Sequence, residues 1–554
     1  MAMARNMGTA GIFGHNAHIH PLHKPLAPKG KHMIFWRVKP LDAILATAEK
    51  KSLHRSLGAW QLTLLGIGAI IGTGIFVLTA EAAQKAGPGM MLSFVIAGFV
   101  CAVAALCYAE LSSMVPVSGS AYTYSYAVLG EGVAWLVGWA LILEYAVAAS
   151  AVAVGWSGYF TGLLHNSLGI TIPASFANGP YAGGIVNLPA VFISLCVTGL
   201  LVIGTKESAT FNAVLVAVKV TALTVFIGLA LPVLNTENFQ PFAPLGGSGV
   251  VAAAASIFFA YVGFDAVSTA AEETKNPQRN VPIGLIGSLG ICTVFYLLVS
   301  AGAIGAVGAQ PVLDTAGNGI APGSSALTEQ CQALAAAGEQ RLVCSREALA
   351  QVLRQIGWDK IGNMIGLAAF LALPSVVLMM MFGQTRIFFV MARDGLLPEA
   401  LSQVHPKFHT PHIVTIVTGL GVTLAAAFLP VGRLADISNS GTLFAFLVVA
   451  LAVMILRMKD KHRHRPFKTP GVWVVGPLAM AGCITLFLFL PPAAKLVFPV
   501  WGGIGLVFYF LYGYRKSHVA RGLYDPTGGE DLIAEIRPLA DIVRDGKKES
   551  DNFY

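Results

Sequence analysis

LGIGAIIGTGIF, Leu65 to Phe76, places four glycines, Gly66, Gly68, Gly72 and Gly74, within nine residues of an apolar run. Glycine costs about 1 kcal/mol per site in a helix relative to alanine, so four in little more than two turns invite local unwinding. Close helix packing explains part of the pattern, because Gly68 and Gly72 have the small-xxx-small spacing. It does not explain a second interruption five apolar segments later, in SIFFAYVGFDAVS (Ser256 to Ser268), where Asp265 follows Gly263. Irregular backbone at membrane depth survives only where it is buried in protein or lines a cavity. An odd offset makes the two broken helices run in opposite directions. That is the pattern of an inverted repeat, whose broken helices mark the substrate site.

The surrounding chain is built for a bilayer. Of its 554 residues, 55% are hydrophobic and 12% charged, about half the charged share of a soluble domain. Runs of roughly 18 or more apolar residues predict a crossing each. Twelve such spans begin near Ala59, Met90, Val133, Asn187, Thr210, Val250, Ile283, Gly362, Ile413, Ile437, Val472 and Ala494. The third and eighth are long. The first 58 residues show no signal-peptide core with a small-residue cleavage site.

An even number of crossings puts both termini on one side. With that side cytoplasmic, 28 of the 36 Lys+Arg lie in cytoplasmic segments or at their helix ends and seven outside, leaving Lys219. The densest cytoplasmic block is RMKDKHRHRPFK, Arg457 to Lys468. This positive-inside bias predicts a multi-pass plasma (inner) membrane protein. The net charge of +8 then reports topology and contact with lipid headgroups, and nucleic acid is not an expected partner. The expected divisions are a disordered cytoplasmic tail (1–33) and an amphipathic helix on the inner membrane surface (34–58). Seven transmembrane helices (59–308), an extracytoplasmic loop (309–361), helices eight to twelve (362–513) and a cytoplasmic tail (514–554) follow. His15, His18, His20, His23 and His32 in the first tail match no closed ligand set, so a solvated tail is expected rather than a metal site. Cys331 and Cys344 share the long loop, where a disulfide and two free thiols are both open.

Lys219 lies in FNAVLVAVKVTALTVFIGLAL, Phe211 to Leu231. At 1.5 Å per residue it stands roughly 12 Å from one end of that run and roughly 18 Å from the other, beyond the reach of snorkelling. An ammonium there costs several kcal/mol unless paired or deprotonated, so it marks a functional site before any packing role.

Four stretches carry a family resemblance: KKSLHRSLGAWQLTLLGIGAIIGTGIFVLTA (Lys50–Ala80), YAELSSMVPVSGSAYTYSYAVLGE (Tyr108–Glu131), FFAYVGFDAVSTAAEETKNPQRNVPIG (Phe258–Gly284) and MMMFGQTRIFFVMARDGLLP (Met379–Pro398). Together they resemble the cationic amino acid transporter family of the amino acid–polyamine–organocation superfamily. The resemblance implies an all-α integral membrane protein of about twelve transmembrane helices. Its core is a LeuT-type five-plus-five inverted repeat with helices 1 and 6 broken, followed by two extra helices. It also implies a proton-coupled L-amino acid symporter with no cofactor beyond the coupling proton; the expected assembly, a monomer, is not part of what the resemblance implies. By the same resemblance Gly72, Thr73 and Gly74 cradle the substrate carboxylate. Carbonyls of Ile70, Phe259, Ala260 and Val262 take the ammonium, and Phe259 also caps the side chain. Lys219 matches the fifth-span lysine of proton-coupled members, where an ammonium between spans one and eight stands in for a coupling sodium.

Glu144 of span three is expected to shape the pocket, attract a cationic side chain or join the proton path, with a structural bond to backbone as the plain alternative. Asp265 is expected to cap local backbone, and Glu110 to pair at the inner gate. Glu272, Glu273, Lys275 and Arg279 form a solvated inside loop. The substrate is either cationic (arginine, lysine or ornithine) or small and neutral, such as alanine; apolar Leu371 to Val376 in span eight favours a small or apolar side chain. Enzyme chemistry is not expected, since the chain has no HExxH, GxSxG or Walker loop. An obligate exchanger and a non-transporting amino acid sensor remain as alternatives.

Overall fold

Apolar runs that must satisfy every backbone group in lipid fold as helices, and the computed structural model bears this out. It describes residues 37–39, 57–117, 119–204, 209–408 and 410–521. Among these, nine helices are long and apolar enough to cross a membrane, and Ala59–Ile70, Leu188–Ile203 and His412–Phe428 are apolar but shorter. Together they supply the twelve expected spans. No strand occurs among the described residues, only two isolated bridges, Leu57 with Thr274 and Leu313 with Gly319.

Both expected interruptions are present. Span one runs as Ala59–Ile70, breaks at Ile71 and Gly72, and resumes as Thr73–Phe76 and Leu78–Ala86. Span six runs as Gly246–Ile257, tightens into a turn over Phe258–Tyr261, and resumes as Ala266–Thr269. Gly263 sits in that second break with φ +114°, and a Cβ there would lie 3.0 Å from the Ala69 carbonyl oxygen. Only glycine suits both the dihedral and the approach. Spans three (Glu131–Leu168), eight (Asp359–Arg393) and ten (Val431–Lys459) pack around the breaks, and span five (Ala209–Ala230) packs on spans one, seven (Pro277–Val307) and eight.

The loop between spans seven and eight is itself structured. It carries helices Ser325–Ala336 and Ala348–Gln355, and Cys331 and Cys344 are joined in a disulfide with Cα atoms 5.6 Å apart. At the opposite face Lys39 Nζ donates to Asp394 Oδ1 at 3.0 Å, and Tyr122 Oη donates to Asp394 Oδ2 at 2.7 Å. Ser517 and Tyr509 from the C-terminal end donate to the buried Glu131 carboxylate. The histidine-rich tail, most of the expected surface helix and residues 522–554 lie outside the described residues. The parts of 34–58 that are described, Arg37–Lys39 and Leu57–Gly58, are not helical.

Candidate functional site

The two breaks meet. Gly74 packs so closely on span six that a Cβ there would lie 2.3 Å from Ala260 Cα. A Cβ at Gly72 would lie 3.4 Å from Val376 Cγ1 of span eight. Gly72, Thr73, Gly74, Ala260 and Val376 therefore share one small volume. Thr73 is 1% exposed, and its hydroxyl has no hydrogen-bond partner among the described residues. A buried hydroxyl without a partner is costly, and it sits at the start of a half-helix, where amides lack intrahelical acceptors and the dipole is positive. That combination suits an anionic group.

The carbonyls assigned to the ammonium are partly engaged. Tyr296 Oη of span seven lies 2.9 Å from the Ile70 carbonyl and 2.8 Å from the Ala260 carbonyl, bridging both breaks. The Phe259 carbonyl accepts the Val262 amide at 3.2 Å. A carbonyl has two lone pairs and a hydroxyl one proton, so Ile70 and Ala260 keep accepting capacity. Tyr296 has no counterpart in the sequence reading. Its only signal is a tyrosine in ICTVFYLLVS (Ile291–Ser300), which also fits a core aromatic.

Lys219 is 1% exposed, and its Nζ donates to the Gly68 carbonyl at 2.8 Å, one turn before the break in span one. The structure thus brings Lys219 to span one.

Glu144 approaches from span three, where its backbone carbonyl accepts the Ser438 hydroxyl at 3.2 Å, next to Asn439, which donates to the Ala255 and Ser256 carbonyls of span six. Gly155 on the same helix abuts Thr73, since a Cβ at Gly155 would lie 2.5 Å from Thr73 Cγ2. Eleven residues of continuous helix separate Glu144 from Gly155, about 16 Å along the axis. Neither Glu144 carboxylate oxygen has a hydrogen-bond partner among the described residues, so the backbone bond held open for it is not made. Thr442 stands beside it but donates to the Ser438 carbonyl at 3.2 Å. Asp265 is its charged neighbour. Asp265 Oδ2 accepts the Tyr145 hydroxyl at 3.0 Å, and the amides of Gly263, Asp265 and Ala266 lie close by. Asp265 Oδ1 has no hydrogen-bond partner among the described residues and makes no cap bond to Ala266–Thr269, so the expected local capping is not made and the link to span three stands in its place.

Glu110 pairs elsewhere than at the breaks. It receives Arg457 Nε at 2.7 Å and Nη2 at 2.8 Å, with the Thr469 amide at 2.8 Å. Its partners belong to the basic block between spans ten and eleven. Glu273 pairs with Arg386 of span eight at 3.4 Å, so the inside loop is partly anchored.

The family described as "Amino acid permease" matches residues 57–511. The chain is 44% identical over 491 residues to the branched-chain amino acid permease BcaP of Bacillus subtilis (strain 168), covering 88% of this chain and 99% of that one. It is 42% identical over 486 residues to the methylthioribose transporter of the same organism, covering 87% and 98%. It is 37% identical over 431 residues to the vacuolar cationic amino acid transporter 2 of Arabidopsis thaliana, covering 76% and 62%.

Proposed function

Because the chain belongs to the amino acid permease family of the amino acid–polyamine–organocation superfamily, we propose that it imports aliphatic L-amino acids, branched-chain ones foremost, in symport with protons. It is a membrane transporter rather than an enzyme. The observation that carries the substrate reading is the partnerless Thr73 hydroxyl at the half-helix start, together with carbonyls of both breaks that retain accepting capacity. Carboxylate and ammonium of one α-amino acid match these two groups. Val376 and Ala260 line the same volume and suit an aliphatic side chain. The name of the 44% relative points the same way.

Proton coupling is assigned to Lys219, whose ammonium holds span one through Gly68 in one state and lets it swing when the proton leaves. The positive-inside count supports insertion in the inner membrane with both termini cytoplasmic, and the transporter works as a monomer. The test is uptake of labelled L-isoleucine by proteoliposomes under an imposed pH gradient. Accumulation that collapses with the gradient, competed by leucine and valine but not arginine, is expected. Uptake that needs preloaded amino acid would show an exchanger, and binding without flux a sensor. Competition by methylthioribose and not by leucine would overturn the amino acid reading.

A further inference from the structure

Span seven begins at Pro277, at the end that the positive-inside count assigns to the cytoplasm. There it borders an open cleft of about 660 Å³, within the ~300–1,000 Å³ usual for small-molecule sites. Arg279, Pro282, Ile283 and Ile286 line the side of the span, and Pro466 and Phe467 of the basic block line the other. Ile283 and Ile286 are 44% and 38% exposed, an apolar surface that a membrane span turns toward lipid. The opposite wall is pinned to span two (Met90–Met114). The Phe467 amide donates to Ser113 Oγ at 3.3 Å, and Thr469 Oγ1 donates to the Leu106 carbonyl at 2.9 Å. A fixed second wall gives this place a shape that plain lipid-facing helix lacks.

The charge at the cleft is of one sign. Arg279 is exposed, and its guanidinium has no hydrogen-bond or ion-pair partner among the described residues. Glu273 of the preceding loop is taken by Arg386 at 3.4 Å. Lys468, directly after Phe467, is exposed and likewise unpaired among the described residues. The single acid of the block Arg457 to Lys468 is Asp460, which faces Arg463 at 3.6 Å. A cation with five free donors therefore stands at one end of an apolar cleft, in a face whose other charges are basic. The same stretch of span seven carries span one. A Cβ at Gly287 would lie 3.5 Å from Thr63 Oγ1, and one at Gly284 would lie 2.8 Å from Leu62 Cβ. Leu57, at the foot of span one, donates to the Glu273 carbonyl at 3.1 Å and accepts the Lys275 amide at 2.8 Å.

We propose that this cleft holds an anionic glycerophospholipid of the cytoplasmic leaflet, its phosphate on Arg279 and one acyl chain along Ile283 and Ile286 against Phe467, and that the lipid steadies span one. A guanidinium matches a phosphate bidentately. Basic pockets on the cytoplasmic side of membrane proteins select anionic headgroups, which that leaflet supplies. A lipid anchored on Arg279 braces the surface on which the first half of span one rests, and with it the Gly72–Gly74 turn. Its binding does not depend on which substrate is carried.

The experiment titrates the purified full-length protein in detergent with dioctanoyl phosphatidylglycerol. Binding is read from the rise in melting temperature, which a ligand of the folded state produces by mass action. The wild type should respond to this lipid and not to dioctanoyl phosphatidylcholine. Arg279→Gln should weaken binding about 10- to 100-fold, the worth of a hydrogen bond to a charged group, and Arg279→Lys should recover most of it. Lys461→Gln, in the same block but outside the cleft, should weaken it no more than about fivefold, the share of one basic residue at an anionic surface. Ile286→Trp fills the cleft and should abolish binding with every charge in place. In proteoliposomes phosphatidylglycerol should lower the wild-type KM for isoleucine and leave that of Arg279→Gln unchanged. Equal losses in Arg279→Gln and Lys461→Gln would reduce the effect to general surface charge and overturn the site. A shift reproduced by glycerol phosphate or by phosphatidylcholine would overturn it too, and a wild-type KM indifferent to the lipid would overturn the bracing of span one. A wild type that binds the lipid at Arg279 and carries no isoleucine would overturn the transport reading alone.

Discussion

The Lys219 ammonium donates to the Gly68 carbonyl at 2.8 Å, tying the middle of span five to the last turn before the break in span one. A hydrogen bond from a charged donor is worth about 1.5–3 kcal/mol net, roughly a ten- to hundredfold bias on any equilibrium in which span one moves. Span one can leave this position only if the bond breaks, and losing the proton removes much of its strength. Lys219→Met keeps the length of the side chain and removes the charge. It should cut accumulation driven by a pH gradient at least tenfold while exchange between equal pools of amino acid persists. Full gradient-driven accumulation by this variant in proteoliposomes would refute the coupling role.

The approach of Gly74 to Ala260 sets a second expectation. A Cβ at Gly74 would fall 2.3 Å from a backbone carbon, whereas one at Gly72 would fall 3.4 Å from the end of the Val376 side chain. Backbone cannot yield as a side chain can. Gly74→Ala should therefore force the two breaks apart and abolish binding, with loss of thermal stability. Gly72→Ala should fold normally and weaken isoleucine binding about tenfold, since the added methyl occupies the cradle. Thermal melting with and without isoleucine separates the two outcomes: a ligand that binds the folded state raises its apparent stability by mass action.

How much of this was legible before the structure depends on which residues leave a mark on local sequence. Gly72, Gly74 and Gly263 are readable because an interrupted helix needs residues without a Cβ. Lys219 is readable because a lone cation in an apolar run has few structural excuses. Spans four and nine were readable as apolar runs although their helices are only 16 and 17 residues long. Tyr296 was not readable, since its hydroxyl matters only through two carbonyls at Ile70 and Ala260, far away in sequence. The eleven residues of helix between Glu144 and the Thr73 contact likewise needed two facts together: that span three is unbroken from Glu131 to Leu168, and that Gly155 is its point of contact with Thr73. The partners of Glu110 are a tertiary matter too, supplied by chain some 350 residues later.

Tyr296 supports its own test. Its hydroxyl is fully buried and serves both breaks at once. Tyr296→Phe removes only that oxygen and leaves the ring packed against Phe94 and Tyr261. Loss of one such bond costs about 1 kcal/mol, with the carbonyls left underused. Isoleucine affinity should fall roughly fivefold if the hydroxyl helps to fix the carbonyls for the ammonium. An affinity that rises instead would show the hydroxyl to be a competitor that the ammonium displaces.

Glu110 is a test of the fold rather than of transport. Its carboxylate is 2% exposed, receives Arg457 through two nitrogens and the Thr469 amide, and has Arg465 Nε 3.2 Å away. Removing one partner of a buried ion pair typically costs about 3–5 kcal/mol, because the other charge is left without compensation. Arg457 keeps 22% of its side chain exposed, so water recovers part of the loss and the lower end of that range applies. Glu110→Gln retains a carbonyl oxygen for the Thr469 amide but no charge for two guanidinium groups. The variant should melt several degrees below the wild type in detergent, while the isoleucine affinity of its folded fraction stays within twofold. An unchanged melting temperature would mean that the basic block between spans ten and eleven is held by its own backbone contacts, such as Arg465 to the carbonyls of Leu456 and Asp460, and that the ion pair adds nothing.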